Sequence, residues 1–232
     1  MFPTTRRSVV LALGSGDASE RERAFDTLLA IYWKPLYKYL RVSWTRSPDD
    51  AEDLTQGFFA RAFEKDFLAG YDPAKASFRH FLRTLADRYA SNERKAALRL
   101  KRGGTSTRLD FDAAEAELAR EPSTVATPEE YFHREWVRSA FALAVDRLRA
   151  ACEASGRSRH FALFEAYDLE AGDHVTYQDL ARTHGLTETT VTNHLAAVRR
   201  QFRRIVLETL REVTASESEF RAEARALLGV DA

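Results

Sequence analysis

Apolar residues recur along this chain every three or four positions and almost nowhere alternate, which is the helical period and predicts an all-α protein. Phe25, Leu28, Leu29, Tyr32, Leu36 and Leu40 form a first stripe, within which Pro35 is expected to kink or interrupt the helix. Ser47-Pro48-Asp49 reads as a turn and a helix start. Ala51, Leu54, Phe58 and Ala62 line the next helix, with Phe59 and Phe63 beside them. Gly70-Tyr71-Asp72-Pro73 breaks the chain again. Phe78, Phe81, Leu82, Leu85 and Tyr89 then mark the buried face of a long helix ending near Arg102. The pattern predicts an N-terminal segment over residues 1–23 and a compact bundle over 24–102.

The character of the chain changes at Gly103-Gly104. Residues 103–128 are polar, acidic and punctuated by Pro122 and Pro128, the chemistry of a flexible tether, with 113–120 at most a transient helix. A second bundle is expected over 129–213. Tyr131, Phe132, Trp136, Phe141, Val145 and Leu148 supply one face, and Phe161, Phe164 and Tyr167 another. Phe202, Ile205, Val206 and Leu210 anchor its last helix. An acidic tail, 214–232, carries Phe220, Ala224, Leu227 and Leu228 at helical spacing. The expected architecture is two small helical bundles joined by an acidic flexible linker, the second containing a helix-turn-helix.

That motif is read from residues 176–204. Ala181, Gly185 and Val191 stand four and six residues apart, with Leu180, Leu186 and Leu195 as apolar companions. A small residue lets two helices approach, a glycine makes the turn, and a branched residue plugs the second helix onto the first. Thr187 is placed to cap the second helix, with Glu188 in its first turn. Thr189, Thr190, Thr192 and Asn193 come early on it, then Arg199, Arg200, Arg203 and Arg204. Short hydrogen-bonding side chains followed by cations suit a helix that reads base edges and holds phosphates. The plainer alternative is a helical hairpin with a solvated arginine face.

Composition sharpens this picture. The formal net charge is +0, yet the charge is segregated. Residues 77–103 hold eight cations against two acids, 49–66 six acids against two cations, and 105–135 eight acids against three cations. Such blocks suit different partners for different surfaces. The single cysteine, Cys152, excludes an internal disulfide and suits a reducing cytoplasm. Arg6-Arg7 looks like a twin-arginine export signal, but the apolar run after it is too short and a densely charged stretch follows. No stretch approaches the roughly 18 apolar residues of a membrane span. The six histidines show no metal-ligand spacing, and no nucleophile motif or phosphate loop stands out, so neither an enzyme nor a metal or cofactor site is expected.

Asp49-Asp50-Ala51-Glu52-Asp53-Leu54-Thr55-Gln56-Gly57-Phe58-Phe59 closely resembles the polymerase-binding helix of bacterial RNA polymerase sigma factors, specifically the extracytoplasmic-function (ECF) group. Residues 78–94 resemble that group's promoter-melting helix, and 176–204 its upstream-element reader. The resemblance covers residues 24–212, with the three motifs in the right order and spacing. It implies a chain that binds core RNA polymerase and promoter DNA as a monomer. Asp49, Asp50, Glu52 and Asp53 would steer docking on the polymerase clamp, with Gln56 and Phe59 as the desolvated contact. The alternatives there are acids enriched for the helix's own stability and, last, a metal site.

For the start-proximal promoter element the resemblance places a base pocket in the loop over residues 71–77. Tyr71, Lys75, Arg79, His80, Arg83, Arg88, Asn92 and Lys95 are the expected DNA contacts, while Phe78, Phe81 and Tyr89 are expected in the core. For the upstream element they are Thr187, Thr189, Thr190, Thr192, Asn193, Arg199, Arg200 and Arg203. Two positions depart from the group: Arg88 stands where an asparagine is common and Asn92 where an acid is common. The linker would thread toward the polymerase's active-site channel, and its plainer account is a solvated tether. Many members of the group are held by anti-sigma factors, and some relatives are governed by Ser/Thr kinases. A phosphate on Thr55 would add charge to the docking helix. The tail, with Ser216 and Ser218 ahead of its apolar stripe, is expected to be a regulatory extension that packs back on a DNA-facing surface. The rival reading is a stand-alone helix-turn-helix regulator that binds DNA as a dimer.

Overall fold

In a computed structural model, residues 9–13, 17–44, 46–63, 70–97, 109–120, 127–170 and 175–229 are described. Every regular element among them is helical: α1 Val9–Ala12, α2 Ala18–Ser43, α3 Pro48–Phe63, α4 Phe78–Ala97, α5 Phe111–Leu118, α6 Pro128–Ala154, α7 Ser158–Phe164, α8 Tyr177–His184, α9 Glu188–Val213 and α10 Glu217–Leu228. A π-type turn, Glu165–Leu169, continues α7. Short polar side chains start the helices. Asp17 accepts from the Ser19 and Glu20 N–H groups, Ser47 from Asp50, Asp110 from Ala113, Thr127 from Glu130 and Ser216 from Glu219.

The helices group into two units. Residues 1–140 and 210–232 form one, and 141–209 the other, so the division falls within α6 and α9. Unit 1 is built on α2, whose Leu28, Ile31 and Leu36 are wholly buried. Each such side chain contributes about 1.5–3 kcal/mol on leaving water. Ala51, Leu54 and Phe58 of α3, Phe78 and Leu82 of α4, and Phe132 and Trp136 of α6 complete this core. The Tyr32 ring meets those of Phe78 and Trp136 at centroid distances of 5.8 and 6.5 Å. Gly57 of α3 makes room for the Tyr89 side chain of α4, whose hydroxyl oxygen a Cβ there would meet.

Two expectations change here. The helix α2 runs unbroken through Pro35, which is itself buried among Ile31, Tyr32 and Leu36. Proline removes one backbone bond, and the packing of this apolar face offsets that loss. The stretch read as a tether also contains a docked helix. On α5, Phe111 packs 5.5 Å from the Trp33 ring and 4.9 Å from Tyr37. Glu115 accepts from Tyr37 and Arg41, and Glu117 from Lys34, whose Nζ lies 2.8 Å away. Residues 98–108 and 121–126 lie outside the described residues.

In unit 2, Leu148 and Cys152 of α6, Leu163 and Phe164 of α7, Leu180 of α8, and Val191, Leu195 and Val198 of α9 are buried together. Burial pushes the Cys152 thiol up and keeps it protonated. Among the described residues no helix is long and apolar enough to cross a membrane.

His160 of α7 and His194 of α9 stack with ring centroids 3.8 Å apart and an interplanar angle of 23°. Burial first, then His194 and Arg157, lowers the His160 pKa. The neutral ring is therefore the one the fold favours. Its contribution is fully present above the unfolded value of about 6.5 and is lost as pH falls through the lower folded value. Hydrogen-exchange protection of α7, corrected for intrinsic rates, should fall as pH drops below about 6.5. His160→Phe keeps the stack without the titration and should flatten that dependence; an unchanged slope would contradict it.

Candidate nucleic-acid and protein interfaces

The acidic face of α3 follows from its start. Ser47 caps the helix and Pro48 opens it, leaving Asp49 and Asp50 in the first turn, where the helix dipole favours negative charge. Asp49, Asp50 and Asp53 are exposed and have no side-chain ion partner among the described residues. Glu52 is half-buried and accepts the Gln56 side-chain N–H at 3.0 Å. Phe59 does not lie on this face. It is buried against Phe25 and Phe58, at 6.3 and 5.3 Å between centroids, and belongs to the core. Thr55 is also buried, and its hydroxyl donates 2.6 Å to the Ala51 carbonyl.

The N-terminal half of α4 is where most of the expected start-proximal contacts come together. Ser77 caps it, accepting the His80 N–H. Tyr71 folds back so that its ring lies 5.2 Å from Phe78 and 5.1 Å from Phe81, and its hydroxyl donates to the Ala76 carbonyl. Lys75 is exposed and pairs with Asp72. Arg79, His80 and Arg83 are each matched by a carboxylate: Arg79 Nη1 lies 2.5 Å from Glu223, His80 Nδ1 3.2 Å from Glu129, and Arg83 3.4 Å from Asp87 and 3.9 Å from Glu129. The His80 hydrogen bond, with Arg83 nearby, holds the Glu129 carboxyl below the usual carboxylate range. Arg88 and Asn92 are exposed further along the helix. The side chain of Lys95 lies outside the described residues.

Asp87, which the sequence reading left out of the site, organises the side chains here. It accepts from Tyr39 (2.8 Å) and from the Trp44 indole (2.9 Å), and so aims Arg83. Its signal was slight: it is one of two acids in an otherwise basic stretch.

In unit 2, Thr176 and Asp179 cap α8 reciprocally. Gly185 closes it in the left-handed conformation, φ 63°, which favours glycine. The Leu186 N–H returns to the Ala181 carbonyl, and Thr187 caps α9 by accepting from Thr190. The helix α9 is two-faced. Val191, Leu195 and Val198 are buried, whereas Thr189, Thr192, Asn193, Arg200 and Arg203 are exposed on the other side. From Thr189 to Arg203 that face runs about 21 Å along the helix. Arg199 lies off it. Its guanidinium makes a two-pronged bond to Asp168, at 3.0 and 2.9 Å, and a third to the Tyr177 hydroxyl, with the Tyr167 ring 5.3 Å away. It pins the π-type turn and α8 to α9, a use that its place in an arginine run does not reveal.

No family model, curated protein or solved structure matches this chain.

Proposed function

We propose that this chain is a sigma factor of the ECF type: it binds core RNA polymerase and directs it to promoters. The observation that carries this reading is the acidic first turn of α3. Asp49, Asp50 and Asp53 are exposed and unpaired among the described residues, on the helix whose sequence resembles the polymerase-docking motif. A solvated cluster without an internal counter-charge suits docking on a basic surface. The exposed face of α9 would enter the major groove at the upstream element, with Thr189, Thr192 and Asn193 at base edges and Arg200 and Arg203 at phosphates. The basic helix α4 would engage the start-proximal element. The chain would act in the cytoplasm and need no cofactor of its own, since catalysis belongs to the polymerase.

Buried Thr55 bears on regulation. A kinase would reach its hydroxyl only after α3 opens locally, so an anti-sigma partner on an exposed face is the simpler control. The test is reconstitution: purified chain and core polymerase, incubated with genomic fragments, should yield transcripts with discrete 5′ ends absent from core alone. A chain that binds DNA but never associates with core would favour the stand-alone regulator instead.

A further inference from the structure

The tail helix α10 is held in unit 1 by Phe220 and Ala224, both buried, and the residue before each, Glu219 and Glu223, stands one turn from the other. Glu219 accepts the backbone N–H of Phe78 at 2.9 Å through one oxygen and that of Ala215 at 2.9 Å through the other. Phe78 is the first residue of α4, so its N–H is one of the donors a helix start leaves unpaired. Glu223 holds Arg79, whose guanidinium also lies 4.8 Å from the Trp136 ring centre. A carboxylate thus sits at the positive end of α4 and a second on its first arginine. Helix N-termini with adjoining arginines are where phosphates bind.

Two carboxylates are thereby brought beside each other, Glu223 buried and Glu219 half-buried. Burial, with the Glu223 charge nearby, pushes the Glu219 carboxyl above its usual range, although two backbone N–H groups oppose the shift. Holding a carboxylate there carries a desolvation cost that its hydrogen bonds offset only in part.

We infer that α10 is an intramolecular competitor for nucleic acid, with Glu219 and Glu223 standing in the phosphate positions of α4, so that α10 must lift before α4 engages DNA. The inference rests on α4 being a DNA-contacting helix. It adds the specific carboxylates, the donors they occupy and the exclusion of one occupant by the other. In the closed chain the measured affinity for DNA is reduced by the fraction of molecules in which α10 is open. Neutralising the two carboxylates raises that fraction without removing the helix.

The experiment uses the full chain and a forked duplex of arbitrary sequence at low salt, because phosphate contacts are sequence-independent and strongest there. The Glu219→Gln/Glu223→Gln variant should bind the fork about tenfold more tightly than wild type. A chain lacking residues 215–232 should do the same, and Arg79→Ala should cancel the gain in either background. Added DNA should also raise hydrogen exchange across residues 220–224 in the wild-type chain. Unchanged affinity in the double-glutamine variant, or tail amides that stay protected while the fork is bound through Arg79, would overturn the competition. If the truncated chain fails to fold, the double-glutamine variant still decides. If Arg79→Ala has no effect in any background and no variant binds better, the assignment of α4 to DNA falls instead.

Discussion

Glu135→Ala is expected to destabilise unit 1 by about 3 kcal/mol, the low end of the range for breaking a buried ion pair. Glu135 and Lys38 are buried partners, with Nζ 2.8 Å from the carboxylate, and Arg138 reaches the other oxygen at 2.5 Å. Burial alone lowers the Lys38 pKa, but Glu135 and Glu117 outweigh it and hold the ammonium charged. Removing Glu135 leaves that ammonium with Glu117 at 3.0 Å, which softens the loss without cancelling it. The three tryptophans, Trp33, Trp44 and Trp136, all lie in unit 1, so their fluorescence reports this unit. A 3 kcal/mol loss corresponds to a Tm lowered by roughly 6–12 °C. Lys38→Met/Glu135→Leu removes both charges and should recover most of it. A shift of under about 2 °C in the single variant would contradict the account.

The second large effect lies in unit 2. Leu195→Ala should cost about 3 kcal/mol, because Leu195 is wholly buried and its removal leaves a cavity in the core of unit 2. A unit spanning residues 141–209 has only about 3–10 kcal/mol of stability to lose. Exchange protection across α8 and α9 should therefore collapse toward that of an unfolded chain. Asn193→Ala, on the exposed face of the same helix, should change stability by no more than about 0.5 kcal/mol while weakening promoter binding. If Asn193→Ala destabilised unit 2 as much as Leu195→Ala, the two faces of α9 would be wrongly divided.

The helices were legible because their buried residues recur at short range: the stripe from Phe25 to Leu40 and the pattern around Val191 need only neighbours on one helix. Long-range pairing was not. Glu115 and Glu117 look like solvent-facing acids of a tether until they meet Tyr37, Arg41 and Lys34, more than seventy positions earlier. Pro35 does not interrupt α2, and the packing that keeps the helix continuous lies partly in other helices. Within the candidate interfaces, the charge blocks mark stretches of chain and do not say where each side chain lies. Phe59 sits beside exposed acids in sequence, yet helical geometry turns it inward onto Phe25. Arg199 belongs to a cationic run, yet it serves Asp168. The apolar stripe of the tail was readable; the seat of its carboxylates on Phe78 and Arg79 was not.

Docking on the polymerase is what separates a sigma factor from any other helical DNA-binding chain, and its most direct measure is affinity for core enzyme in the absence of DNA. Reversing the acids of α3 with Asp50→Lys, Glu52→Lys and Asp53→Lys should lower that affinity by about tenfold or more and steepen no unfolding transition, since Asp50 and Asp53 are exposed. Core affinity unchanged by the three reversals, in a chain that still folds, would contradict the account.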